Sequence, residues 1–354
     1  MVRLGKTKSG KRLGANSSRS PLDAFRARKY SSAHCFYCAR KLHKRTEEHV
    51  FPLWLQKRFK LQNQTIHLLN GTTIKYSQLK VPCCPKCNNE HLSGLEKRVQ
   101  RHLRTPPSKL TQLQLTELFT WACKILLGIL YKERLLPNDR RQPQGGPILP
   151  ENLHHEFEMT HLIIQNARHP IDFSAEGKKR TPGSVFVFRL QSAKEIEAQF
   201  DFRDSIFHLV VFLRLGNRGI IAIADGGAVD IEVGDIFRSD GKFELHPIQF
   251  EELGAIAFYK ASLFNRHPTY LIFEMKNRLQ IFQMPLAGLS SKPVFDPWVH
   301  AEYAALLARF IDAPLDKIAP GDRSKVMQWR VDQNGNRLRI PLKKFPHLIQ
   351  RFSK

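Results

Sequence analysis

Apolar residues recur at three- and four-residue spacing through Leu115, Leu118, Phe119, Ala122, Ile125, Leu126, Ile129 and Leu130. That period predicts a helix over residues 110–136. A second helix is expected around residues 153–166, and a third at 299–310. Between them the pattern changes to short β-branched and aromatic runs, Val185–Phe188, Phe207–Phe212 and Gly219–Ile223, which read as strands. Tyr270–Phe273 and Leu279–Phe282 predict a hairpin across Lys276-Asn277. Residues 326–340 predict another, turning at Asn334-Gly335. Nearer the amino end, Thr65–Leu69 and Thr72–Tyr76 flank Asn70-Gly71, a strong hairpin signal. Residues 88–98 read as the start of a helix that Thr105-Pro106-Pro107 would end.

This alternation predicts an α+β protein with mostly antiparallel strands in its carboxy-terminal part. Four regions are expected: a basic disordered tail (1–30), a small cysteine-rich module (31–100), a helical bridge and linker (101–150), and an α+β domain of unassigned role (151–354). Lys6, Lys8, Lys11 and Arg12 of the tail are candidates for phosphate contacts. Lys178-Lys179-Arg180 and Lys343-Lys344 read as solvated surface. His154-His155 and His161 read as helix-face residues, and Asp225-Gly226-Gly227 as a turn after a strand.

Charge changes the picture more than hydrophobic content, which at 42% is ordinary. The 354 residues carry 56 Lys+Arg against 32 Asp+Glu, a net charge of +24. Such an excess predicts salt-sensitive attraction to a polyanion, nucleic acid first among them. No apolar run is expected to reach the length of a membrane span and no secretory signal is read at the amino end, so no membrane partner is expected. The six cysteines are not spread as a disulfide framework, which suits a reducing compartment and a cytoplasmic location.

Four of those cysteines carry the chemistry. Cys35-Phe36-Tyr37-Cys38 and Cys84-Pro85-Lys86-Cys87 are two Cys-x-x-Cys pairs, the ligand set of a closed, tetrahedral structural zinc site. Only Cys84, not Cys83, has the x-x spacing to Cys87; Cys83 and Cys123 read as ordinary buried residues. Between the pairs stands Glu48-His49-Val50-Phe51-Pro52-Leu53-Trp54. After the second comes Asn88-Asn89-Glu90-His91-Leu92-Ser93-Gly94-Leu95-Glu96. Phosphodiester hydrolysis calls for a base that is neutral near pH 7, which suits His49, and for oxygen donors to a hard cation, which suits Glu48. On an extended segment the two side chains point to opposite faces, so a bulge or strand end is expected there.

In order and spacing these motifs resemble the HNH endonuclease family, in its zinc-ribbon-supported Glu-His branch, over residues 31–100. The resemblance implies a zinc-stapled ββα-metal module and metal-dependent cleavage of DNA. His49 would be the general base, and Glu48 and Asn88 would hold one Mg²⁺ or Mn²⁺. His91, three residues on, would be a further ligand or a phosphate contact, with a plain helix-surface histidine as the alternative. The family's middle asparagine orients the base histidine through backbone contacts; residues 76–82 contain none, and Asn70, Asn63 or Gln78 are the stand-ins. By analogy a place in defence or mobile-element biology is implied. Two rivals stand beside this reading: a zinc-ribbon nucleic-acid-binding protein without catalysis, and an effector subunit silent until a partner, or a second copy, engages the carboxy-terminal domain.

Overall fold

The computed structural model describes residues 2–4, 20–44, 46–149, 154–275, 278–288, 291–321 and 325–342. Its strands are β1 (Val2–Leu4), β2 (Thr46–His49), β3 (Thr65–His67), β4 (Thr73–Lys75), β5 (Lys80–Cys83), β6 (Ile171–Ala175) and β7 (Lys178–Lys179). They continue with β8 (Ser184–Leu190), β9 (Phe200–Ser205), β10 (Val210–Leu215), β11 (Arg218–Ile223), β12 (Glu244–Leu245), β13 (Tyr270–Glu274) and β14 (Leu279–Gln283). The α-helices are α1 (Pro21–Arg26), α2 (Leu53–Arg58), α3 (Ser93–His102), α4 (Gln112–Leu135) and α5 (His154–Ile164). After them come α6 (Ala228–Gly241), α7 (Pro247–Ser262), α8 (His300–Ile311) and α9 (Leu315–Ile318). The protein is α+β, as its hydrophobic pattern predicts, and most of its strand pairs are antiparallel.

The chain divides into two compact units, and not at the boundaries expected at 100 and 150. The first comprises residues 1–104, 111–182 and 267–285; the second comprises 105–110, 183–266 and 286–354. The helix expected as a bridge is the interior of the first unit. From Leu118 to Tyr131 every residue of α4 is buried, and α4 packs on α3, α5 and β5. A helix buried all round carries apolar residues all round. By length and composition α4 could cross a membrane, which corrects the expectation that no run reaches that length; 78% of its most apolar window is buried inside the protein. A capping box starts it: Thr111 Oγ1 accepts from the Gln114 amide, and Gln114 Oε1 accepts from the Thr111 amide. Gly128 is where α4 presses closest, since a Cβ there would stand 2.8 Å from a Val50 methyl.

The expected tail is not structureless where it is described. Leu22, Ala24 and Phe25 of α1 are buried, with Ser20 as N-cap. β1 pairs in parallel with β13 at the edge of the sheet β1-β13-β14-β6-β7. The candidate contacts Lys6, Lys8, Lys11 and Arg12 lie outside the described residues, as do Lys343-Lys344 and the turn at Lys276-Asn277. The Asn70-Gly71 hairpin forms as expected: β3 pairs with β4, Asn70 Oδ1 accepts from the Thr72 amide, and Gly71 takes φ +75°.

In the second unit the sheet runs β12-β8-β11-β10-β9. The expected strand at 207–212 sits three residues later, because Leu209 (φ +52°) turns the chain before β10 begins. Helices α6 and α7, absent from the sequence reading, join the unit's apolar core. Phe237 stacks on Phe186 and Phe250 on Phe212, each pair at 4.3 Å between ring centroids. Asp225, in the expected turn, accepts from the Ser184, Gly227 and Val229 amides and so seats the start of α6. At residues 326–340 only one bridge, Val331 to Arg337, closes over the Asn334-Gly335 turn. Glu252 holds the segment by accepting from the Trp329 and Arg330 amides.

Candidate functional site

The four cysteines converge. The Sγ atoms of Cys35, Cys38, Cys84 and Cys87 all lie within 4.8 Å of one another, forming a group that could hold a metal ion such as zinc. A tetrahedral zinc with sulfur at about 2.3 Å requires sulfurs roughly 3.8 Å apart; Cys38 and Cys84 stand at 3.9 Å. The first knuckle turns back on itself through Ala39 N to Cys35 O (2.9 Å), with Ala39 in the left-handed region at φ +58°. Its Phe36 amide donates to Pro82 O (2.9 Å), which ties the knuckle to β5. Cys83 is buried beside Cys35, 3.8 Å between sulfurs, a close neighbour of the group. Cys123 is buried apart on α4.

β2 and β5 form the antiparallel ribbon next to this group, with His49 paired to Lys80 and Glu48 to Val81. A π-type turn, Cys87–Leu92, leads from the second knuckle into α3. Asn88 lies against β2, where its amide nitrogen is 3.3 Å from Glu47 O and 3.4 Å from Thr46 Oγ1. The two strands and the helix are thus brought together as the motifs predict. His91 turns elsewhere: its ring stacks on Tyr37, 6.4 Å between centroids, and burial, with Arg168 nearby, presses its pKa down. Among the described contacts none joins His91 to Glu48 or His49.

Glu48 and His49 obey strand alternation with no bulge, and β2 ends at His49, the strand end expected there. His49 is half-buried, and its pKa is lowered from 6.5 by burial and by the neighbouring Lys80 charge, so the imidazole is neutral at pH 7. Glu48 faces inward, 6% exposed, and its Oε1 meets Lys124 Nζ of α4 at 2.5 Å. The same ammonium lies 3.2 Å from Glu96 Oε1 of α3 and donates to His49 O (2.9 Å) and Val50 O (3.2 Å). Lys124 is 1% exposed. Burial works to lower its pKa, but the two carboxylates outweigh that and raise it. One ammonium faces two carboxylates, so one is in excess. Glu96, the more distant, is pushed up to about 7 by burial, against the pull of Lys124.

This arrangement corrects the expected divalent-ion site. A hard cation needs several oxygens aimed at one point. Glu48 is committed to an ammonium in the interior, while Asn88 leans on β2 through its amide nitrogen, the end of the side chain that does not bind cations. The pair does not fit a shared Mg²⁺ or Mn²⁺. The stand-ins for a middle asparagine are also placed. Asn70 is held in its hairpin by Pro137 O and Thr72 N, Asn63 closes a 3-10 turn, and Gln78 is exposed. The backbone at His49 is instead fixed by Lys124 and by the Val50 amide bonding to Leu79 O (3.0 Å). Sequence reasoning passed over Lys124, yet a signal was there: one lysine amid the apolar run from Leu118 to Leu130.

His161, expected on a helix face, is buried beside the cysteine group. A cavity of about 10 Å³, the size of one water, is lined by Cys35, Phe36, Ala39, Leu127, Tyr131 and His161, among others. Burial, with Arg28 and Arg168 nearby, pushes the His161 pKa down to about 3. Between pH 3 and about 6.5 the unfolded chain therefore binds the extra proton. Stability that this neutral histidine holds above pH 6.5 is lost as pH falls, by up to about 1.4 kcal/mol per pH unit. Urea midpoints of the wild type and His161→Leu should diverge in favour of the variant from pH 6.5 to 4.5. Parallel curves would contradict this.

The second unit has its own groove, of about 750 Å³, lined by Asp201, Arg203, His208, Tyr259, Arg309 and Asp312 among others. None of the sequence-predicted site residues lines it. No family model, no curated protein and no solved structure matches the chain.

Proposed function

We propose that the protein is a nuclease of the HNH type, hydrolysing phosphodiester bonds in nucleic acid, DNA foremost, with His49 as general base. The observation that carries the reading is His49 itself: half-exposed, neutral at pH 7, at the end of a β-ribbon abutting a helix that starts from a four-cysteine group. A neutral imidazole can take the proton of an attacking water. Lys80, its cross-strand partner, carries positive charge to the side where a phosphate would sit. The +24 charge supplies salt-sensitive attraction to the backbone. No step runs through a divalent ion at Glu48.

One observation favours a second reading, nucleic-acid binding without hydrolysis: Glu48 is engaged by Lys124. Supercoiled plasmid with Mg²⁺ present separates the two. The nuclease reading expects cutting by the wild type and a loss of about 10²–10⁴-fold in His49→Ala, with equal gel retardation by both. Retardation without cutting by the wild type would favour the binding module, or an effector awaiting its partner, over a nuclease active alone. Equal cutting by both proteins would remove His49 from the chemistry.

A further inference from the structure

We infer that the ammonium of Lys124 is the resident cation of an all-oxygen site built from Glu48, Glu96 and the carbonyls of His49 and Val50, and that it keeps divalent ions out. Four oxygens surround Nζ: Glu48 Oε1 at 2.5 Å, His49 O at 2.9 Å, and Glu96 Oε1 and Val50 O at 3.2 Å. Two carboxylates and two carbonyls are a donor set for a hard cation such as Mn²⁺, Mg²⁺ or Ca²⁺. Here α4 fills the set from within, with a side chain that is 1% exposed.

The site draws on three elements: Glu48 from β2, Glu96 from α3 and Lys124 from α4. It therefore fastens the helix and the buried helix behind it to the strand end that carries His49. When both carboxylates are ionised they carry one more charge than the ammonium returns. Shortening Lys124 to alanine would leave both carboxylates uncompensated around the space vacated by a four-carbon stem, and a divalent ion would neutralise them fully. The inference goes beyond the proposed hydrolysis and does not rest on it, since it concerns which cation Glu48 holds in a protein that cuts or does not.

The test counts Mn²⁺ on zinc-loaded full-length protein by the loss of the free-ion EPR signal. Wild type and Glu48→Gln are expected to take up Mn²⁺ equally, because Glu48 offers nothing to a second cation. Lys124→Ala is expected to gain about one Mn²⁺ per chain, and Lys124→Ala with Glu48→Gln to lose it. Uptake by the wild type that falls in Glu48→Gln would overturn the inference, as would a folded Lys124→Ala that gains no ion. If Lys124→Ala fails to fold, the comparison of wild type with Glu48→Gln still decides, since it needs no change at Lys124.

Discussion

Stripping the metal from the four-cysteine group should unfold the module around it. The elements it gathers are too short to stand alone: strands β2 and β5 have four residues each and α2 has six. A two-stranded ribbon or a helix under about 12 residues is marginal in water. The sulfur group ties the first knuckle to the turn that runs from β5 into α3, and the free energy of structural zinc in such modules is on the order of 10–16 kcal/mol at pH 7. The purified protein should carry one zinc per chain by elemental analysis. Removing it, or replacing Cys84 and Cys87 with serine, should abolish the native environment of Trp54 and Trp121, which stack 6.1 Å apart in the same unit. Their fluorescence should shift to the red at temperatures where the zinc-loaded protein is folded. A zinc-free protein with unchanged melting would show that the cysteines are merely buried thiols.

Lys124→Met should cost about 3–5 kcal/mol, the range for removing one partner of a buried ion pair. The methionine keeps most of the volume, so the loss is chiefly electrostatic: Glu48, 6% exposed, and Glu96 would share the interior with no counter-charge. The sign with pH follows. Protonation relieves two facing carboxylates, so the penalty should be smaller at pH 5 than at pH 8. A second change, Glu48→Leu on top of Lys124→Met, should recover part of the loss, because it removes a charge from the interior instead of stranding one. Denaturant midpoints of the four proteins, wild type, both singles and the double, measure the coupling. Additive losses would mean that Lys124 and Glu48 do not act together.

How much of this was legible in sequence depends on how local the signal is. The two Cys-x-x-Cys pairs and the Asn70-Gly71 hairpin follow from short-range spacing, and the chain folds accordingly; that Asn88 lies beside the Glu48-His49 strand was implied only by the family resemblance. Of the bulge or strand end expected at Glu48-His49, the strand has no bulge but does end at His49, and Glu48 still goes inward. Its partner, Lys124, lies on another element far along the chain, and no local pattern links them. The same holds for domain limits. The hairpin β13–β14 pairs with β6 across more than 100 residues, which sends residues 267–285 into the first unit.

Helices α6 and α7 escaped for a different reason. Almost all of α7 is buried, including Gln249, Glu251 and Glu252, so its polar residues mark no solvent face and the 3.6-residue period is blurred. Those polar groups are satisfied by distant partners. Gln249 donates to Trp329 O and Leu338 O, Glu252 accepts from two amides, and Glu251 pairs with Arg203 at 2.8 Å. Gly254 stands in its middle, where glycine costs a helix about 1 kcal/mol against alanine. In the structure it makes room for Phe212 and Phe310, whose ring atoms would stand 2.7 and 2.8 Å from a Cβ.

The central claim is that His49 acts as a neutral base, and the pH dependence of cutting tests it most directly. With burial and the Lys80 charge lowering the His49 pKa from 6.5, the single-turnover cleavage rate should rise tenfold per pH unit at acid pH. It should level off with a midpoint below 6.5. His49→Ala should lack that limb. A midpoint above 7, or the same limb surviving in His49→Ala, would contradict the account.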